Sequence, residues 1–145
     1  MCVAEENTRE SIDDAKDPDG ANLDRIRIIK GWVDAAGGLH EEIVDVVWSG
    51  DRVPGSYGRE PAVGNTVDLT TATFTNTIGV AQLIGSWRDE QFNPDQHALY
   101  YVRVLEIPTP RWSTYDAVRH NLPLLEDVPA TFQERAWISP IWYSP

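Results

Sequence analysis

Six stretches of the sequence alternate in side-chain character with a period of two, and turn-forming residues separate them. That period sends successive side chains to opposite faces of a strand, so the pattern points to sheet rather than helix. In LDRIRIIKGWV, Ile26, Ile28, Lys30 and Trp32 share one side, while Arg25, Arg27, Ile29 and Val33 share the other. Ala35-Ala36-Gly37-Gly38 then turns the chain and LHEEIVDVVW returns with β-branched residues, which predicts a hairpin. NTVDLTTATFTN is a third, Thr-rich strand, and GVAQLIGSW a fourth, with Gly79 and Gly85 marking a bulge or a close approach. HALYYVRVLEI is the strongest of the six. Ala98, Tyr100, Val102 and Val104 lie opposite Leu99, Tyr101, Arg103 and Leu105, with Arg103 the only charge from Tyr100 to Leu105, and this predicts a central strand. RAWISPIWY is the last, interrupted by Pro140, which belongs on an edge or at a bulge because it cannot donate to a ladder.

Residues 49–64 form a long loop, and QFNPDQ turns the chain at Asn93-Pro94. After Pro-Thr-Pro, STYDAVRHN predicts one short helix, with Ser113 or Thr114 as N-cap and Asp116 in the first turn. Strands without βαβ spacing give an all-β fold: an antiparallel β-sandwich of about six to eight strands with one short helix near residues 114–120. Residues 1–20 are an acidic leader, flexible or a short helix over TRESIDDAK, and residues 21–145 form the sandwich domain.

The formal net charge of −11 is uneven, since residues 1–24 hold eight acids against two bases. This balance repels a nucleic-acid backbone or an anionic membrane as partner. No apolar run approaches the roughly 18 residues that span a bilayer. MCVAEENTRE lacks the basic start and apolar stretch of a signal peptide, so the expected location is the cytoplasm. Cys2 is the only cysteine and, in a terminus without a fixed base, reads as inert.

Candidate chemistry is sparse. His40, His97 and His120 each lie in or beside a different turn, without metal-ligand spacing, so neither a metal nor another cofactor is expected. His40 and Glu42 share a strand face from which Glu41 points away, which reads as a solvated hairpin surface. No G-x-S-x-G elbow or phosphate-cradling glycine loop is present. Of the six tryptophans (Trp32, Trp48, Trp87, Trp112, Trp137 and Trp142), most are expected to fill the core. Tryptophans at strand ends also suit a sugar platform or an interface. Arg111 and Trp112 stand apart: the rigid Pro-Thr-Pro before them holds both at a domain edge, and with Trp32 they are the interface candidates.

DPDGANLDRIRIIKGW, VGNTVDLTTATFTNTIG, ALYYVRVLEIPTPRWSTYDA and QERAWISPIWYSP together resemble the C-terminal end of a large bacterial family of unknown function, related to PHP-type (polymerase and histidinol phosphatase) metal-dependent hydrolases. The resemblance runs from about Ala15 to Pro145, and it places the family's metal ligands in an upstream domain that this sequence does not contain. It implies an accessory C-terminal β-sandwich that binds a catalytic domain or a second copy of itself. In the family an apolar strand precedes KDPDG, where this chain has TRESIDDA. Loss of that strand would leave Ile26–Val33 as an adhesive edge and favour a dimer. The alternative is a small stand-alone hydrolase acting on esters or phosphoesters through Arg111, Tyr115 and His120.

Overall fold

The computed structural model describes residues 9–53 and 61–145. Within them the chain forms seven strands and one helix: β1 (Arg9–Ala15), β2 (Leu23–Val33), β3 (Leu39–Trp48), β4 (Gln82–Arg88), β5 (Ala98–Pro110), α1 (Trp112–His120), β6 (Thr131–Trp137) and β7 (Ile141–Tyr143). Every strand pairing is antiparallel. One sheet has the order β3-β2-β5-β6, with β7 also on β5; the other is the pair β1-β4. The expected mostly-β, two-sheet architecture with one short helix is what forms.

The alternation read from the sequence decides which face is buried. Ile26 and Ile28 of β2 meet Tyr100, Val102 and Val104 of β5, and Leu83 of β4 closes over them. Ile12, Val47 and Trp87 pack against this cluster from β1, β3 and β4. The two-stranded sheet therefore covers one face of the five-stranded sheet. β5 is central, as expected, with β2 on one side and β6 and β7 on the other. Its length lets it hold two short partners in succession, and Ile138–Pro140 interrupts them where the proline cannot continue a ladder. Among the described residues, no helix is long and apolar enough to cross a membrane.

Several expectations are corrected. Residues 9–15, expected as flexible leader or helix, form β1, paired from Arg9↔Arg88 to Ala15↔Gln82. The strand makes its inward apolar contact through Ile12; Asp13 points to the outer face, while Asp14, on the same face as Ile12, is half-buried and burial raises its carboxyl. β2, expected as an adhesive edge, is flanked on both sides by β3 and β5, while β1 pairs with β4 in the other sheet. The Thr-rich strand at 65–76 does not form: Asp68 and Thr73 make one isolated bridge around a turn. Local bonds compete successfully with strand pairing there. Asp68 Oδ1 accepts from Thr70 N at 2.8 Å, and Asn65 Oδ1 from Val67 N at 2.9 Å. The helix starts at Trp112, with Arg111 rather than Ser113 or Thr114 as N-cap and no side-chain cap bond. Thr114 turns inward and donates from Oγ1 to Ala130 O at 2.6 Å.

The tryptophans also depart from expectation. Trp112, Trp137 and Trp142 are 65, 66 and 73% exposed, and Trp32, Trp48 and Trp87 are only half-buried. Gly79 is a close approach, as expected. It has φ +72°, and a β-carbon there would lie 2.6 Å from Ile107 Cγ2.

Candidate functional site

Arg111 follows Pro110 at the end of β5, where its N–H donates to Ala130 O at 2.9 Å. Its Nε is buried and has no hydrogen-bond partner among the described residues. From this fixed point α1 runs with small residues inward, Thr114 and Ala117, and large ones outward. Trp112, Tyr115 and Val118 are exposed, and the chain beyond the helix continues with exposed Leu122, Leu124 and Leu125. This inverts the usual arrangement of a surface helix, which turns its apolar stripe to the core. Asn121 ends the helix in the left-handed region at φ 52°, which directs the leucines along the same end of the domain.

The three residues expected for hydrolysis do not converge. Tyr115 and His120 are five positions apart on one helix, which places them about 140° apart around its axis. Arg111 and Tyr115 are joined by the helix backbone alone, Tyr115 N–H donating to Arg111 O at 3.2 Å, and no side-chain hydrogen bond or ion pair links the three among the described residues. Trp32, grouped with Arg111 and Trp112 as an interface residue, lies opposite Ala98 at the far end of β5. A strand of that length separates the two places by roughly 40 Å.

At the Trp32 end there is a cavity of about 330 Å³ lined by Trp32, Leu39, His40, His97, Leu99 and Trp142, among others. His40 and His97, in different turns of the sequence, share it. The His40 ring stacks on Trp32 with centroids 5.2 Å apart, and its Nε2 hydrogen-bonds Asp34 Oδ2 at 2.6 Å. That bond, with the amides of Gly38 and Ala36, holds the Asp34 carboxyl below the usual range. His97 Nδ1 instead meets Ser144 Oγ at 2.9 Å, so the serine and the aspartate belong to different imidazoles and form no relay. Among the described residues, no three His, Cys, Asp or Glu side chains gather as a metal site. Cys2 lies outside those residues.

Sequence reading missed the polar groups that alternation turned inward. Lys30 is buried, with Nζ 2.6 Å from Asp89 Oδ2, and Tyr100 donates its hydroxyl to the same oxygen at 2.7 Å. Burial pushes Asp89 upward, but Lys30, Tyr100 and the Gln91 amide outweigh it and hold the carboxyl below its ordinary value. Burial and the adjacent Asp89 raise Tyr100. The stabilisation from a depressed carboxyl is complete above its unfolded value, about pH 4, and is lost as pH falls through the folded value. Asp89→Asn is therefore expected to flatten the loss of melting temperature below about pH 4, and an unchanged acid limb would place the loss in other carboxylates.

No curated protein and no solved structure matches the chain. A family described as Protein of unknown function (DUF3604) matches residues 5–145, a span that includes β1.

Proposed function

We propose, for a chain that belongs to the DUF3604 family of proteins of unknown function, an accessory β-sandwich that docks against a PHP-like metal-dependent hydrolase domain or against a second copy of itself. One observation carries the reading: α1 attaches through Thr114 and Ala117 and presents Trp112, Tyr115 and Val118 to solvent, beside Leu122 and Leu125. A helix that exposes its large apolar residues in this way marks an interaction site, with tryptophan and tyrosine as the usual anchors. Arg111, fixed as the N-cap, supplies a cation at its border. β2, flanked by β3 and β5, offers no open edge for such a contact.

The hydrolase reading has no comparable support, because Tyr115 and His120 do not share a face. A panel of aryl esters and phosphoesters, with added divalent metal or EDTA, tests it directly.

Light scattering at micromolar concentration separates the two occupants. A mass near twice 16.3 kDa that returns to 16.3 kDa in a Trp112→Ser/Leu122→Ser variant identifies a second copy. A monomer that binds a separately expressed hydrolase domain of the family, with affinity lowered at least about tenfold by the same changes, identifies the catalytic domain. A monomer that binds no such domain overturns the proposal.

A further inference from the structure

The face of the five-stranded sheet away from β1 and β4 carries a cross-strand row: Asp45 of β3, Arg27 of β2, Arg103 of β5 and Trp137 of β6, each paired in register with the next. Arg27 pairs with Asp45, a carboxylate that it shares with Arg25. Arg103 then faces the Arg27 cation on one side and an indole on the other. Like charges directly opposite one another destabilise a sheet pair, and a net charge of −11 makes carboxylates plentiful, yet none lies within salt-bridge distance of Arg103 among the described residues. Among the described residues its side chain makes one hydrogen bond, from Nη2 to Tyr101 Oη at 3.1 Å, and its guanidinium lies 5.8 Å from that ring's centroid. Its Nε is buried and has no partner among the described residues.

Arg135 stands two residues before Trp137 on β6, and it too has no ion pair among the described residues. Tyr101, Arg103, Arg135, Trp137, Ile138 and Pro140 line one cleft of about 370 Å³. Two arginines that make no ion pair among the described residues, one with an unused buried donor, share that cleft with two aromatic rings, although Arg135 also borders a neighbouring cleft lined by Asp14, Asp17, Glu106 and Glu134.

We propose that this cleft is a binding site for a small ligand bearing an oxyanion on a flat ring. The carboxylate or phosphate is held by Arg103 and Arg135, and the ring lies against Trp137 and Tyr101. Guanidinium forks suit both oxyanions, and such charge-assisted bonds are stronger than neutral ones. An anion also relieves the Arg27–Arg103 opposition. The site is separate from the α1 surface and does not depend on docking there.

The test is a titration of the full chain with phenyl phosphate, benzoate and neutral benzyl alcohol, followed by the NMR signals of the Trp137 indole N–H and the Arg103 Nε–H. One or both anions are expected to give saturable shifts with Kd in the millimolar range or below, and the tighter of the two identifies the oxyanion. Benzyl alcohol is expected to bind at least about tenfold more weakly. Arg135→Met, at an exposed position, is expected to weaken anion binding at least about tenfold without lowering the melting temperature, and Arg103→Met to do the same in a variant confirmed as folded. Absence of saturation with either anion up to about 20 mM overturns the proposal. So does equal binding of benzyl alcohol, or full affinity in Arg135→Met.

Discussion

Val102→Asp is expected to lower stability by about 4 kcal/mol or more and the melting temperature by about 10 °C or more. Val102 is 5% exposed, near the centre of β5, with Ile28 opposite it and the β1–β4 layer above. Its methyl groups point into a cluster of Ile26, Leu83, Tyr100 and Val104 in which the one hydroxyl, that of Tyr100, is already committed to Asp89. The charge must be desolvated or protonated, and both are costly at neutral pH. Val102→Ala removes only apolar contact and is expected to cost about 2 kcal/mol. Urea denaturation of the two variants measures the difference. Similar midpoints would mean that position 102 reaches water.

Asp24→Ala is the second large effect, expected at about 3–5 kcal/mol, because removing one member of a buried ionic cluster strands the others. Asp24 is 0% exposed. Its Oδ2 accepts from Arg25 Nε at 3.0 Å and Gln133 Nε2 at 2.8 Å, while Oδ1 accepts from Arg52 Nη2 at 2.7 Å. One carboxylate thus joins β2 to the loop after β3 and to β6. Asp24→Asn has the same shape but no charge and is expected to fall between wild type and alanine. A loss under about 1 kcal/mol in Asp24→Ala, by denaturant titration, would show that Arg25 and Arg52 find replacement partners.

These two sites differ in how far the sequence disclosed them. Val102 was legible because alternation with local turns is a short-range signal, and the β2–β3 hairpin, β4 and β5 follow it. Asp24 was not: at the border of an acidic segment it resembles its solvated neighbours, and its partners Arg52 and Gln133 are 28 and 109 residues away. β1 was hidden for the same reason. Its acid-rich sequence has weak intrinsic strand preference, and only pairing with β4 decides its conformation. At 65–76 the error ran the other way. Threonines favour strands, but asparagine and aspartate side chains closed local turns before any ladder could form. The arginine cleft needed register. Arg103 was visible as the one charge between Tyr100 and Leu105, but its placement between Arg27 and Trp137 belongs to three strands at once.

The β1–β4 layer also imposes an order of assembly. The β2–β3 hairpin closes through a five-residue connection, whereas Arg9 must find Arg88 across most of the chain. Loop-closure entropy favours the near pairing first and delays the distant one. Until β1 and β4 arrive, the apolar face formed by Ile26, Ile28, Val102 and Val104 is open, and partly folded chains with such faces tend to aggregate. The segment that completes the layer lies within the most acidic part of the sequence. Repulsion between these acidic segments on different chains is expected to oppose association while that face is uncovered.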